Sequence, residues 1–221
     1  MTDILSNIDE VLDPSRCVLL VIDAQKDFID ERGWCARNGL DVAPLRARIP
    51  VINWLVEHGR ETAVAVAYVC MEHGPRVDAR NYRARYASRG MEKEILCEEG
   101  TWGAELDDEI TWPGPTDMNF VRHTFDAFAG SSLNAALRER GIETIVATGM
   151  VTNVCVLATV LGAFGLGYYV VVAEDGTAAD GPEPHHFALD VVRQCLGFVL
   201  PAEEIAGYWA AARGRGGIVK L

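Results

Sequence analysis

One cysteine of this chain lies where a thiol could do chemistry, within the stretch GMVTNVCVLATV from Gly149 to Val160. Cys155 follows an apolar, strand-like run and a Thr-Asn pair that is typical of a helix start. The N-terminus of a helix favours a thiolate over a thiol, and its unpaired N–H groups can bind an oxyanion. Cys155 is therefore either a nucleophile or a small buried core residue, and these residues alone leave both possibilities open.

Two charged residues occupy comparable positions. Asp23 ends the apolar run CVLLVID, and Arg122 ends another apolar run, next to His123. Taken singly, each is as readily a turn cap or a surface charge. However, the carboxyl ends of parallel strands meet at one edge of a sheet, where ligands bind. An acid, a cation and a thiol at that edge provide a nucleophile with a base and an orienting charge.

Short apolar runs recur along the chain and predict the strands that would carry these residues. Runs of this length are typical of strands buried on both faces of a parallel sheet. They cover residues 17–23, 62–70, 118–123, 144–149, 168–175 and 197–200. Helical segments alternate with them, including one in which Ile49, Ile52, Leu55 and Val56 share a face. The alternation predicts an α/β fold, an open doubly wound parallel sheet of about six strands with helices on both faces.

The chain is predicted to form a single domain over residues 1–221, because nothing in its composition separates a second one. A long connection, 71–117, interrupts the alternation and contains the arginine-rich segment 76–89. Connections of this length are usually lids or binding loops. The last residues, 212–221, predict a flexible or arm-like tail.

Composition disfavours several classes of partner. The formal net charge is −12, which argues against nucleic acid and anionic membranes because phosphate binding needs a basic face. No apolar run is long enough to span a bilayer, and the first residues do not resemble a signal peptide. We therefore expect a cytoplasmic protein whose six cysteines stay reduced.

Three stretches of the chain resemble the isochorismatase-like cysteine hydrolases: LLVIDAQKDF, VRHTFDAFAGSSLNAALRERGIETIVATGMVTNVCV and YYVVVAEDGTAA. They match the family in order and spacing, from about Asp13 to Leu200. The family includes N-carbamoylsarcosine amidases, ureidoacrylate amidohydrolases, biuret hydrolases and nicotinamidases. The resemblance implies an isochorismatase-like fold, an Asp-Lys-Cys triad, and assembly as a homodimer or homotetramer.

The resemblance also assigns roles by position. It implies that Asp23 accepts a proton and that Cys155 is the nucleophile. It implies a cis peptide bond between Met150 and Val151, which would aim the Val151 N–H, with that of Cys155, at the substrate oxyanion. In place of the triad lysine the chain has Arg122, which keeps the positive charge but is a poor proton shuttle.

Five further residues near these motifs are predicted to contact the substrate. The stretch GTWGAEL resembles a loop that covers the pocket in ureido- and biuret-type members of the family. The aromatic and polar residues beside the other motifs are expected to complete the walls. The predicted contacts are Gln25, Phe28, Trp102, Phe128 and Thr152.

Metal binding is not expected. Nicotinamidases carry an Asp-x-His cluster after the second strand, whereas here Glu72 and His73 are adjacent. We predict an enzyme without a metal or cofactor, acting on a small-molecule substrate.

The resemblance favours amide chemistry, because the cysteine that vinyl-ether isochorismatases lack is present. We predict a cysteine-dependent amidohydrolase that cleaves a small amide, carbamoyl or ureido C–N bond through a thioester. Two alternatives remain open. One is a catalytically inactive binding or assembly protein, supported mainly by Arg122, and the other is an isochorismatase-like ether hydrolase.

Overall fold

Six parallel strands form the centre of the structure, a computed structural model that describes residues 4–88, 90 and 94–216. The strands are β1 (Cys17–Ile22), β2 (Ala65–Met71), β3 (Met118–Arg122), β4 (Thr144–Met150), β5 (Tyr169–Ala178) and β6 (Gly197–Leu200). They lie in the order β3-β2-β1-β4-β5-β6, and every neighbouring pair is parallel. The predicted fold class is confirmed.

Helices cover both faces of this sheet. The α-helices are α1 (Ile8–Val11), α2 (Lys26–Ile29), α3 (Trp34–Arg37), α4 (Ala43–Arg46), α5 (Ile49–Glu61), α6 (Arg80–Ala87), α7 (Leu133–Glu139), α8 (Leu157–Gly165), α9 (Pro182–Cys195) and α10 (Ala202–Gly216). The helix α5 contacts α10, whereas α8 contacts α9. Across the sheet, the connection from β1 to β2, which contains α5, runs in one direction. The connection from β4 to β5, which contains α8, runs in the opposite direction. Since such crossovers are right-handed, the two helix pairs lie on opposite faces.

The central strands β1 and β4 are buried along their whole length. This burial explains why their sequences are continuous apolar runs rather than alternating ones. At their carboxyl ends Ile22 is paired with Gly149, and the backbone of Gly149 has a φ of 108°. A Cβ atom there would overlap the carbonyl oxygen of Ile22. Only glycine therefore fits, and the ends of the two strands lie close together.

The long connection between β2 and β3 contains α6 and a short 3₁₀ helix, Trp102–Ala104. One isolated bridge, between Gln25 and Leu106, ties it to the rest of the fold, and another joins His73 to Glu98 within the connection. The connection thus returns to the start of α2, just after β1.

The helix α10 continues to Gly216, so residues 212–216 of the predicted tail are helical, and 217–221 lie outside the described residues. Trp209 on this helix is fully buried, which anchors its middle. In the parts of the chain that the structure describes, every helix is too short or too polar to cross a bilayer.

Candidate active site

Strand register brings the predicted acid and cation to the same edge of the sheet. Asp23 directly follows β1, and its N–H donates a hydrogen bond to the carbonyl of Val69 in β2 (2.9 Å). Arg122 is the last residue of β3 and pairs with Met71 of β2. Asp23 has a φ of 49°, a left-handed conformation that is uncommon outside glycine. The acid and the cation therefore lie at the carboxyl ends of β1 and β3, with β2 between them.

Asp23 and Arg122 form a buried ion pair. The Nη2 atom of Arg122 lies 2.5 Å from Oδ2 of Asp23, and neither side chain is exposed to solvent. A second guanidinium nitrogen of Arg122 donates to the carbonyl oxygen of Thr124. The other carboxylate oxygen, Oδ1 of Asp23, is buried and makes no hydrogen bond of regular geometry within the described residues. One oxygen is thus held by the guanidinium, and the other is available to a proton donor.

The thiol of Cys155 interacts with both members of this ion pair. Burial raises the pKa of Cys155 well above its usual range, the charge of Asp23 adds to that rise, and Arg122 opposes it. Burial also raises the pKa of Asp23, again opposed by Arg122. Both shifts disfavour the charged form. The direction of the Cys155 shift therefore does not support the thiolate that the helix terminus suggested.

The turn that carries Cys155 differs from the expected helix start. The peptide bond between Met150 and Val151 is cis, at the position that the resemblance implies. The next turn, Thr152–Val156, is a π-helix that precedes α8, and its cap is Val151. Neither Thr152 nor Asn153 caps it with a side-chain hydrogen bond. Single π-turns of this kind occur frequently at functional sites.

A small cavity of about 140 Å³ opens onto Cys155. Its walls are mostly apolar and aromatic. Its lining residues are Phe28, Trp34, Cys35, Leu40, Met71, Arg85, Tyr86, Leu96, Phe125, Val151, Val154 and Cys155. Of the five predicted substrate contacts, Phe28 lies in this wall.

The cavity does not include Gln25 or Trp102. The Gln25 amide nitrogen donates to the carbonyls of Met71 and Ala104, and its oxygen accepts from the Met71 N–H, each at 2.7 Å. Its hydrogen-bonding capacity is therefore committed to joining β2 to the long connection. Trp102 is partly exposed, and the guanidinium of Arg32 lies over its ring at 4.7 Å. Both residues support the surrounding loops rather than the cavity.

Phe128 and Thr152 also lie outside the cavity wall. Phe128 stacks against Tyr168, with ring centroids 5.6 Å apart. The hydroxyl of Thr152 lies 2.9 Å from Nδ1 of His185, on α9. Packing turns the Phe128 side chain towards Tyr168, just before β5, and the Thr152 side chain towards α9.

Two other cations that lie beside the sequence motifs, Lys26 and His123, have partners elsewhere. Lys26 forms ion pairs with Glu105 and Asp108, at 2.8 and 2.9 Å. His123 uses its Nδ1 on the carbonyl of Glu72, at 2.6 Å. The remaining lysines, 93 and 220, lie outside the described residues. Within the described chain, the cation that pairs with Asp23 is therefore Arg122, the last residue of β3.

Sequence reasoning missed most of the cavity wall. Two of the missed wall residues are aromatic and could have been noticed in the sequence. Phe125 lies three positions after Arg122, and Tyr86 lies on α6 four residues after Tyr82. Trp34 is held by Asp27, whose carboxylate accepts hydrogen bonds from the N–H of Trp34 (2.8 Å) and of Cys97 (2.7 Å). Nothing in the local sequence signals the contact with Cys97, because it lies 70 residues from Asp27 along the chain.

The described residues contain no group of three or more His, Cys, Asp and Glu side chains arranged to hold a metal ion. His73, two residues after β2, places its Nδ1 2.6 Å from Oδ1 of Asp78 and stacks on Tyr82 with ring centroids 4.0 Å apart. Burial lowers the pKa of His73. Its ring is thus held by an acid and an aromatic neighbour.

Comparison with known proteins identifies the family. The sequence profile of the isochorismatase domain matches residues 17–204, most of the chain. The chain belongs to the isochorismatase family. This confirms the resemblance to the isochorismatase-like cysteine hydrolases, a family of hydrolases that act on amides and related bonds.

Solved structures of this isochorismatase family share the fold. A cysteine hydrolase from Pseudomonas syringae pv. phaseolicola 1448A is 21% identical, with 96% of this chain and 100% of that chain covered and a TM-score of 0.82. An isochorismatase family protein from Desulfovibrio vulgaris is 27% identical, with 88% and 98% covered and a TM-score of 0.75. N-carbamoylsarcosine amidase from Thermoplasma acidophilum is 25% identical, with 85% and 97% covered and a TM-score of 0.69.

Proposed function

We propose that this protein is a cysteine amidohydrolase that cleaves a small amide, carbamoyl or ureido C–N bond through a thioester. The observation that carries the proposal is the buried contact of Cys155 with the Asp23–Arg122 pair at the end of a small cavity. The similarity to a solved N-carbamoylsarcosine amidase supports this class of substrate.

Acylation begins with Cys155 as a thiol and Asp23 ionised beside Arg122. As the sulfur attacks the carbonyl carbon, the thiol proton passes to Asp23 and an S–C bond forms. The carbonyl π electrons move to oxygen, where the N–H groups of Val151 and Cys155 would stabilise the negative charge. The C–N bond then breaks, and the leaving nitrogen takes the proton from Asp23. Arg122 holds the carboxylate in place through both proton transfers.

Deacylation reverses these roles. Asp23, ionised again, removes a proton from water while the water oxygen attacks the thioester carbon. The C–S bond breaks, and the departing sulfur recovers the proton from Asp23. The sum is one amide and one water converted into a carboxylic or carbamic acid and ammonia or an amine. The raised pKa of Asp23 suits this work, because a carboxylate with a raised pKa is a stronger base.

Ammonia release from a panel of small amides, carbamates and ureido acids tests the proposal. Replacing Cys155 by alanine should abolish turnover while the fold is retained, because the change removes one atom from a packed site. Replacing the exposed Cys195 by alanine is the matched control and should leave turnover unchanged. On a hydrolysed substrate, a rapid quench followed by intact-mass measurement should show an acyl adduct on the wild-type chain. Full activity in the Cys155→Ala protein would refute the mechanism.

An inactive relative is the second candidate, and the tight Asp23–Arg122 pair favours it. A guanidinium 2.5 Å from a carboxylate holds that carboxylate firmly and weakens it as a base. On this view, Arg122→Lys should switch on amidase activity that the natural chain lacks. Activity in the natural chain would exclude it.

A further inference from the structure

One charged residue stands apart in the mostly apolar wall around Cys155. Arg85, on α6, lines the same cavity and is half-buried. Its guanidinium lies over the rings of Tyr86 (5.2 Å) and Phe125 (5.6 Å), which also line the cavity. Within the described residues Arg85 makes no ion pair with an acid. A cation that is stacked in position but has no acidic partner is suited to bind an anion from solution.

The charge around α6 supports the same conclusion. Residues 79–88 contain the three arginines Arg80, Arg83 and Arg85, and no acid. The chain as a whole carries a formal net charge of −12. A local cluster of one sign beside a cleft raises the local concentration of ligands of the opposite sign. In an otherwise acidic protein, the helix α6 beside the cavity of the nucleophile thus carries only positive charges.

The other arginine of the site is not available for this task. Arg122 is buried and is committed to Asp23 and to the Thr124 carbonyl. Arg85 therefore supplies the remaining guanidinium in the cavity wall. Its planar, forked donors match the two oxygens of a carboxylate. A phosphate dianion fits less well, because one guanidinium in an apolar wall would leave part of its charge unpaired.

We propose that Arg85 binds a carboxylate on the substrate, so that the preferred substrate is a small amide or ureido acid rather than a neutral amide. This rests on the proposed amidohydrolase function. The cavity volume of about 140 Å³ is close to the ~150 Å³ that accommodates a benzene ring in an engineered apolar cavity. The substrate is therefore small, with its scissile carbonyl at Cys155 and its carboxylate at Arg85.

Matched substrate pairs test this directly. Succinamate and butyramide differ by a carboxylate in place of a methyl group, and N-carbamoyl-β-alanine and N-propylurea form a second pair. We expect the wild type to prefer the acid of each pair. Arg85→Gln should lower kcat/KM for the acids by about 10- to 100-fold, mainly through KM, the range for one hydrogen-bonded charge. For the neutral partners the change should stay within about 3-fold.

Two variants control for structural and long-range effects. Arg83→Gln removes the same charge from the same helix at a position outside the Cys155 cavity, and should change the preference for acids by less than about 3-fold. Arg85→Lys keeps the charge but loses the fork, and should fall between wild type and Arg85→Gln. An equal loss on acids and neutral amides in Arg85→Gln, or a wild-type preference for the neutral partner, would overturn the proposal.

A binding measurement separates this inference from the proposed chemistry. In a Cys155→Ala background, 10 mM succinamate should raise Tm and butyramide should not, and the rise should disappear when Arg85→Gln is added. A rise that depends on Arg85 would support the carboxylate site even if no substrate of the panel were hydrolysed. Hydrolysis by the wild type without any Arg85-dependent rise in Tm would refute the site and leave the amidohydrolase function standing. The absence of both would refute both.

Discussion

Substituting Arg122 by methionine tests whether Asp23 is ionised in the folded protein and whether Arg122, its buried partner, stabilises that ionised form. Both side chains of the pair are inaccessible to solvent, and one hydrogen bond of 2.5 Å joins them. Methionine has a similar length and no charge, so the change leaves a buried carboxylate without its cation. Removing one partner of a buried pair costs about 3–5 kcal/mol, because the remaining charge loses its compensation. We expect a loss of that size in the free energy of unfolding at pH 8.

The loss should depend on pH with a defined sign. Burial already raises the pKa of Asp23 above its ordinary value of 3.8, and Arg122 opposes that rise. Without Arg122 the pKa rises further. A carboxyl group with a raised folded-state pKa contributes its full stability below the unfolded value, and that contribution is lost as the pH rises through the folded value. The variant should therefore lie closest to the wild type in acid and furthest below it at pH 8.

Urea unfolding at pH 5 and pH 8 measures the effect. Arg193→Met is the control, because it breaks the half-exposed pair with Glu174 and should cost no more than about 1 kcal/mol. The double variant Asp23→Asn with Arg122→Met removes both charges and should recover most of the loss at pH 8. The reasoning is wrong if Arg122→Met costs less than about 1 kcal/mol at pH 8, or the same amount at both pH values. The single variant should also lower kcat by a factor of about 10² or more.

Further predictions concern the base, the cavity wall, metal content and assembly. Turnover should fall as the pH drops through the raised pKa of Asp23, and a pH–rate profile without an acid limb above pH 3.8 would contradict this role. Asp27→Ala leaves two buried N–H donors, those of Trp34 and Cys97, without their acceptor. It should lower the free energy of unfolding by about 2–6 kcal/mol in urea unfolding. Dialysis against a chelator should leave activity unchanged, and loss that zinc or iron restores would show a metal requirement. Light scattering at micromolar concentration should give a dimer or tetramer, consistent with the exposed apolar residues Phe164 and Phe187 on the contacting helices α8 and α9; a monomer mass would contradict it.

The order and type of the main elements could be predicted because their signals are local. The run 17–23 is continuously apolar since β1 is buried on both faces. Likewise Ile49, Ile52, Leu55 and Val56 mark the buried face of α5. The extent of α10 could not be predicted, since burial of Trp209 against distant elements stabilises it, whereas the sequence after residue 211 suggests no order.

The catalytic candidates were predictable by position, but their protonation was not. Asp23, Arg122 and Cys155 each follow or end an apolar run, and parallel strands bring such positions to one edge. The helix start near Cys155 suggested a thiolate. The structure reverses that expectation, because burial and the neighbouring carboxylate raise the pKa of the thiol. Those two effects depend on neighbours far along the chain.

By itself, the sequence determined the parallel α/β fold, the family and the three residues that meet at the sheet edge. Only the tertiary structure decided the walls of the cavity. It assigned Gln25 to backbone hydrogen bonds between β2 and the long connection, and it placed Arg85 of that connection in the wall of the cavity that Cys155 also lines. The physical reason is distance along the chain. Strand and helix patterns arise from residues a few positions apart, whereas a cavity is formed by side chains that meet only after the sheet and its long connection have packed.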